Sequence, residues 1–147
     1  MNESYTLTLE EAPDAQDVHF VRECLNAYNF AIVGEDDHKP LAIFVRDIDN
    51  AIVAGLLGGT YWGWLHVDIL WIKDGLRRQG YGKALLAAAE QEAVQRGCRH
   101  AHLDTMSFQA LEFYKRQGYT VFGELRDLPA GHTRYFMKKA LQVDLYG

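Results

Sequence analysis

A basic turn that carries two glycines is the part of the chain best suited to chemistry. Arg77, Gly80 and Gly82 follow the pattern Arg-x-x-Gly-x-Gly and precede a segment with the apolar spacing of a helix. Glycine lets backbone N–H groups approach an anion closely, and the N-terminus of a helix adds a positive dipole. The turn is therefore a candidate cradle for a pyrophosphate, although an ordinary strand-to-helix turn with exposed arginines would contain the same residues.

Two common phosphate-binding motifs do not fit this turn. Gly75 and Gly80 have the spacing of a P-loop, but Tyr81 stands where that motif requires a lysine followed by serine or threonine. A dinucleotide-binding fingerprint requires glycine or alanine three residues after Gly82, and Leu85 stands there. The turn therefore belongs to neither class.

A second motif, Ala-x-x-Phe-Tyr-x-x-x-Gly-Tyr, begins at Ala110 and ends at Tyr119. With the two motifs in this order and at this spacing, the segment from Trp64 to Leu125 resembles the GCN5-related N-acetyltransferase (GNAT) superfamily. The resemblance implies an α/β fold in which a mixed β-sheet, flanked by helices, is splayed open at its centre. It also implies that acetyl-CoA, the co-substrate, lies between the fourth and fifth strands.

The resemblance further assigns contacts to acetyl-CoA along the chain. It gives the diphosphate to backbone N–H groups of the turn, namely Arg77, Arg78, Gln79, Gly80, Tyr81, Gly82 and Lys83. It gives the pantetheine arm to the backbone of the preceding strand, namely Leu70, Trp71 and Ile72. Ser107 is a departure, because the family often has asparagine at this position. Serine reaches less far, so whether Ser107 contacts the cofactor stays open.

Acyl transfer to an amine requires a neutral amine, a polarised carbonyl and a thiolate that can leave. His66 and Asp68 are two residues apart on a predicted strand, so we expect them on one face, with Leu65, Val67 and Ile69 on the other. His66 titrates near neutrality when unperturbed and is a candidate base. Asp68 could be the base, orient His66 or bind a cationic amine. Both could instead be ordinary polar residues of an exposed strand face.

Tyr114 is the candidate general acid, because the resemblance places a tyrosine of this helix near the CoA sulfur. A phenol can donate a proton or a hydrogen bond to the departing thiolate. The alternative is a packing role, since Leu111 and Tyr114 share a helix face, and Phe113 is predicted to be core. Cys24 and Cys98 lack activating neighbours, which favours direct attack in a ternary complex over a covalent acyl-enzyme.

Aromatic and histidine residues surround the candidate base in the sequence. The segment 61–64, Tyr-Trp-Gly-Trp, could line an acceptor pocket, belong to the core or form a dimer contact, so a homodimer is left open. His100 and His102 are predicted to share one strand face, but no third ligand is evident. The sequence therefore predicts no metal site.

These residues require particular elements to position them. Alternation predicts a strand at residues 5–9, and apolar spacing predicts a helix from about Asp14. A hairpin turn is predicted at residues 47–50 and a second strand pair around Gly63. The helix after the basic turn should run to Arg96, with Gly97 as its C′ residue. A strand over 100–106, a helix from an N-cap at Ser107 to Gly118, and strands over 119–125 and 133–138 follow.

Composition limits the classes of function. The 147 residues suit a single domain, 1–147, and the formal net charge is −5 without a cluster of lysine and arginine, which argues against nucleic-acid binding. No membrane span, signal peptide or disulfide spacing is present, so a soluble cytoplasmic protein is expected. The predicted function is transfer of acetyl from acetyl-CoA to a primary amine of a small molecule. The alternatives are a protein lysine or N-terminal acetyltransferase and a non-catalytic acyl-CoA-binding domain.

Overall fold

The computed structural model describes residues 4–142 and divides into two compact units, the first ending at Asp36 and the second beginning at Asp37. The elements, in chain order, are α1 (Ala15–Val33), β1 (Lys39–Arg46), β2 (Ile52–Tyr61), β3 (Trp64–Ile72), α2 (Tyr81–Gln95), β4 (His100–Met106), α3 (Leu111–Arg116), β5 (Thr120–Arg126) and β6 (Thr133–Ala140).

The first unit consists of α1 and the chain before it. The Asp14 side chain accepts a hydrogen bond from the Gln16 N–H at 2.8 Å, as an N-cap does, so the predicted helix start is confirmed. Gly34, with φ of 86°, ends the helix. The predicted strand at residues 5–9 was wrong, because these residues form no ladder and Tyr5, for example, is 77% exposed. An alternating pattern specifies a strand only where another strand pairs with it.

The second unit is built on a six-stranded sheet in the order β1-β2-β3-β4-β6-β5. Neighbouring strands are antiparallel except for β3 and β4, which are parallel and are joined through α2. The sheet is therefore mixed, as predicted, and its parallel pair lies at its centre.

The parallel pair is short. β3 and β4 are in register from Trp64↔His100 to Val67↔Leu103 and are not paired beyond that point. β3 continues along β2 as far as Ile72, and β4 continues along β6 as far as Met106. The two central strands therefore separate in their second halves, which confirms the predicted splay.

A β-bulge interrupts β3 where the strands separate. On β2 the consecutive residues Leu57 and Gly58 pair with Ile69 and Val67, so Asp68 has no partner in the ladder. A bulge reverses the alternation of faces along a strand. Val67 is accordingly buried before the bulge, and Leu70 packs against the core after it.

The hydrophobic core lies between the sheet and α2. Leu85, Leu86, Ala89 and Ala93 form the buried face of α2, as the apolar spacing predicts, and Tyr114 of α3 joins the same cluster. Gly97 follows the helix with φ of 90°, and the Cys98 N–H donates to the Ala93 carbonyl, which confirms the predicted C-terminus.

Arg96 at the end of α2 ties this helix to the sheet. Its Nη1 donates to the carbonyls of Lys39 and Pro40 and to Oγ1 of Thr60, at 3.1–3.2 Å. Its Nε lies 3.0 Å from the Glu92 carboxylate. One side chain thus joins the last turn of α2 to the start of β1 and the end of β2.

Candidate active site

The gap between β3 and β4 is the frame of the candidate site. Unpaired strand edges leave backbone N–H and C=O groups that a bound molecule can use. Leu70, Trp71 and Ile72 lie on the β3 side of this gap, after the last β3–β4 pair. The structure thus brings the three predicted pantetheine contacts to the splayed half of the sheet.

The basic turn leads from the end of β3 to the start of α2. Gly80, with φ of 89°, is the residue before the helix, and no side chain caps the first turn. The first N–H groups of a helix have no acceptor within the helix, so those of Tyr81, Gly82 and Lys83 are directed toward the turn. This is the arrangement expected of an anion cradle.

The turn is held by its own residues. Arg77 Nε donates to the Ile72 carbonyl at 3.3 Å, and Gln79 Nε2 donates to the Gly75 carbonyl at 3.0 Å. Arg77 also lies 3.5 Å from the Asp74 carboxylate in an exposed ion pair. Arg78 has φ of 64° and is exposed. Arg77 and Gln79 therefore shape the turn as well as adding polar groups to it.

Gly82 has a packing reason to be glycine. A Cβ at this position would lie 3.1 Å from Cδ1 of Ile72 and 3.3 Å from Cζ of Phe113. By contrast, nothing lies within 4 Å of a Cβ built on Gly80. The start of α2 can approach β3 and α3 because Gly82 has no side chain, and Gly80 faces open space.

His66 lies one rung before the end of the β3–β4 pairing, opposite His102. The two imidazole rings are stacked, with centroids 4.6 Å apart and planes 20° apart. The Tyr61 hydroxyl is 2.9 Å from Nε2 of His102. The sequence placed His100 and His102 on one face of a strand but did not predict the pairing of His102 with His66, which depends on the register of two distant strands.

Asp68 lies where the predicted alternation of β3 breaks. It is the unpaired residue of the bulge and is exposed, and Ile69, which was expected to face the core, is 49% exposed. The prediction assumed unbroken alternation through residues 65–69, and the bulge breaks it. His66 and Asp68 flank the point of separation, and neither belongs to the core cluster that Leu65 and Val67 join, so only the placement of Ile69 was wrong.

Asp104 is a residue of this region that the sequence analysis missed. Its carboxylate accepts a hydrogen bond from Arg134 Nε at 2.8 Å, which links β4 to β6. The two side chains are partly exposed. The spacing of His100, His102 and Asp104 on one strand face was the available signal, since alternate residues of a strand share a face.

Tyr114 of α3 is 6% exposed and packs edge-on against Phe113 and Tyr119. Burial, followed by the negative charge of Asp104, raises the pKa of the phenol to about 12. The hydroxyl therefore stays protonated through the physiological range. Tyr114 contributes to the core, as the packing alternative held, and keeps a hydroxyl that can donate a hydrogen bond.

Ser107 does not cap α3, so that prediction was wrong. The helix begins at Leu111 after Ala110, whose N–H donates to Oγ1 of Thr105 at 3.2 Å. Ser107 Oγ instead accepts from the Thr133 N–H at 3.1 Å and lies 3.4 Å from Nδ1 of His132. The hydroxyl is thus engaged with the start of β6, because the chain forms a separate turn before α3.

Other chemistry has less support in the structure. Burial raises the pKa of the Cys98 thiol, which opposes formation of a nucleophilic thiolate. Between residues 4 and 142, no three histidine, cysteine or acidic side chains are placed to hold a metal ion. In the same part of the chain, no helix is both long and apolar enough to cross a membrane.

Comparison with known proteins identifies the family to which the chain is similar. Residues 3–119 match the model of the acetyltransferase (GNAT) family. The chain is 41% identical to the acetyltransferase Atu2258 of Agrobacterium fabrum, over 89% of this chain and 96% of that protein. It is also 41% identical to the blasticidin-S acetyltransferase of Streptomyces morookaense, over 61% of this chain and 67% of that protein.

A solved structure extends the likeness to the fold. The crystal structure of an acetyltransferase from Bacillus cereus superimposes with a TM-score of 0.82 at 33% identity, covering 91% of this chain and 98% of that one. The splayed sheet and the glycine-bearing turn thus belong to a known class of enzyme. The chain belongs to the GNAT family of acetyltransferases.

Proposed function

We propose that the protein transfers an acetyl group from acetyl-CoA to a primary amine of a small molecule, by direct attack in a ternary complex. The observation that carries the proposal is the separation of β3 from β4 after Val67↔Leu103, next to the uncapped start of α2. A thioester lying in this gap would have its diphosphate at the turn and its acyl group near the last paired rung.

The backbone of the site suits acetyl-CoA. In this proposal the free edge of β3 at Leu70–Ile72 hydrogen-bonds the pantetheine arm, and the N–H groups from Arg77 to Lys83 bind the diphosphate. Lys73, Arg77, Arg78 and Lys83 place positive charge around a turn of a protein whose net charge is −5. The Ser107 hydroxyl, already engaged with Thr133, plays a smaller part.

The acceptor amine must lose a proton before or during attack. With a pKa near 10, roughly one amine in a thousand is neutral at pH 7, so a base increases the reactive fraction. His66 is half-buried at the last rungs before the strands separate, and Asp68 is exposed at the bulge. We assign the base to His66, and to Asp68 the attraction of the cationic amine.

The leaving thiolate needs stabilisation on the other side of the reacting carbon. Tyr114, with its pKa of about 12, is a weaker acid than a thiol of pKa near 8.5, so full proton transfer to the sulfur is unfavourable. A hydrogen bond from the hydroxyl to the developing negative charge has no such difficulty. Tyr114 is therefore assigned as a hydrogen-bond donor to the sulfur.

A small acceptor is supported by two observations. Most of the turns that join the strands of the second unit are short, such as residues 62–63 between β2 and β3, and a relative carries the name of a blasticidin-S acetyltransferase. The negative net charge also favours a cationic acceptor.

The test is a thiol-release assay with acetyl-CoA and a panel of aliphatic amines, polyamines, aminoglycosides, aminonucleosides and lysine-bearing peptides. Release that depends on a small amine, with the acetylated amine seen by mass spectrometry, is the expected result. Turnover of peptides alone would favour a protein acetyltransferase. Binding of acetyl-CoA by calorimetry without turnover of any acceptor would favour a non-catalytic domain.

The assignment of the base has its own measurement. The acidic limb of the pH profile of kcat/KM should disappear in His66→Ala and remain in Asp68→Ala, whose KM for a cationic amine should rise. Profiles identical to the parent in both variants would show that neither side chain accepts the proton. kcat/KM is the appropriate quantity because it reports ionisations of the free enzyme.

A further inference from the structure

His102 makes side-chain contacts with residues of two neighbouring strands. The Tyr61 hydroxyl lies 2.9 Å from its Nε2, and the Trp64 ring packs edge-on to it at 5.7 Å. The His66 ring stacks flat on it, with 4.6 Å between the ring centroids. These contacts come from two strands, since Tyr61 lies on β2 and Trp64 and His66 lie on β3, whereas His102 lies on β4.

The surroundings of His102 favour the neutral ring. Burial lowers its pKa most, the neighbouring His66 lowers it further, and Asp104 opposes them by raising it. The facing groups are Tyr61 on β2, His66 on β3, Asp104 on β4 itself and Lys138, which is opposite His102 in the register of β6. Two stacked imidazolium rings would repel each other at this separation, so a positive charge on His66 disfavours a second one on His102.

We propose that His102 is a positioning residue, whose neutral ring, fixed by Tyr61, holds the His66 imidazole flat beside the gap between β3 and β4. This role rests on the proposed function, in which His66 accepts the proton of the acceptor amine. The N–H bond of the ammonium breaks, its electron pair stays on the amine nitrogen, and a new N–H bond forms on a ring nitrogen of His66. His102 takes up no proton in this step.

The stack gives this role a physical basis. A half-buried imidazole on a strand retains rotation about its side-chain bonds, and a flat neighbour restricts that rotation. A base displaced by about 1 Å can lose on the order of 10²-fold in rate, because proton transfer depends on short, aligned contacts. A neutral support also avoids adding a second positive charge where a cationic acceptor must approach.

The decisive experiment is a mutant cycle on kcat with acetyl-CoA and the best amine of the panel. His102→Ala should lower kcat by about 10-fold or more while the Kd of acetyl-CoA changes little. His102→Phe, which keeps a flat ring but loses the hydrogen bond with Tyr61, should restore part of kcat. His66→Ala and the double variant His66→Ala/His102→Ala should be equally slow, because His102 acts only through His66.

The matched control is His100→Ala, since His100 lies two residues before His102 on the same strand and its ring stacks on Trp64 at 4.6 Å. It should leave kcat unchanged. A second measurement is independent of turnover: in a histidine NMR titration, the midpoint of His102 should rise when His66 is replaced by Phe.

Three results would overturn the proposal. The first is full activity of His102→Ala, and the second is a loss of kcat in the double variant that equals the two single losses combined. The third is a titration midpoint of His102 that does not change when His66 is replaced by Phe. Absence of turnover with every amine in the wild-type protein would instead contradict the proposed function, while the NMR measurement would still test the pair.

Discussion

Tyr114 belongs to the core, and the proposed function gives its hydroxyl a second role. Its ring packs against Phe113 and Tyr119, and its hydroxyl is the group assigned to the sulfur. Tyr114→Phe should keep the fold and the Kd of acetyl-CoA and lower kcat by about 10²-fold, the usual scale for a lost acid or donor in the transition state. Kinetics, calorimetry and a thermal melt measure the three quantities.

Tyr119→Phe is the matched control for Tyr114. Tyr119 is also buried, and its hydroxyl donates to the Glu90 carboxylate at 3.3 Å, away from the gap. Its loss should lower the free energy of unfolding by about 1 kcal/mol and leave kcat alone. Full activity of Tyr114→Phe, or a kcat that falls only in proportion to lost folded protein, would make Tyr114 a packing residue.

His102 also makes stability depend on pH. Its folded-state pKa is lowered, so the unfolded chain, with a pKa near 6.5, binds the proton first as pH falls. The stabilisation is present above about pH 6.5 and is lost on acidification toward the folded-state pKa. The unfolding free energy of the wild type minus that of His102→Phe should therefore decrease between about pH 7.5 and pH 5.5. A difference that is constant with pH would refute this.

At the scale of elements, the start of α2 can be tested without disturbing the core. Gly80 and Gly75 both have positive φ, and a Cβ on either would meet nothing within 4 Å. An alanine at each should therefore strain the backbone similarly, by about 1–2 kcal/mol. Only Gly80 adjoins the first turn of α2, so Gly80→Ala should weaken acetyl-CoA binding the more, by about 10-fold relative to Gly75→Ala.

Calorimetry of the two alanine variants decides this point, with thermal melts to confirm equal strain. Equal affinities at equal stability would argue that the diphosphate does not bind at this turn. A bulky residue at Gly82 is a poorer test, because it would press on Ile72 and Phe113 and lower stability together with binding.

Local patterns predicted the elements well where their signals were local. The strand His100–Met106, the turn at residues 47–50, the start of α1 and the end of α2 are as predicted, since capping residues, glycine and alternation act within a few residues. The bulge at Asp68 and the stack of His66 on His102 could not be predicted, because both depend on the register between strands. The family resemblance predicted the splay; the strand patterns alone did not.

At the scale of the whole second unit, Arg96 is one of the side chains that join α2 to the sheet, together with Glu90, which pairs with Lys139 of β6. Arg96 donates to two backbone carbonyls at the start of β1 and to Thr60, which is 3% exposed. Arg96→Ala should lower the free energy of unfolding by about 2–3 kcal/mol, because several acceptors lose a charged donor. Lysine, with one ammonium, should recover only part of this.

The Arg96 variants should bind acetyl-CoA as the wild type does, since the residue is at the opposite end of α2 from Gly80. Chemical denaturation and calorimetry measure the two effects separately. A loss of binding without a loss of stability would show that α2 transmits strain along its length.

The bulge in β3 makes the length of this strand as important as its composition. Before Asp68 the odd-numbered residues Leu65 and Val67 face the core, and after it the even-numbered Leu70 and Ile72 do so. The alternation of core-facing and outward-facing residues is therefore shifted by one residue between the two halves of the strand. Deletion of a single residue on either side would exchange the core-facing and outward-facing side chains of that half, whereas most substitutions would not. Deleting Asp68 would make the alternation continuous along β3 and would remove the bulge at the point where β3 and β4 separate. Among relatives that keep the splay, this strand should therefore vary in residue type but not in residue number.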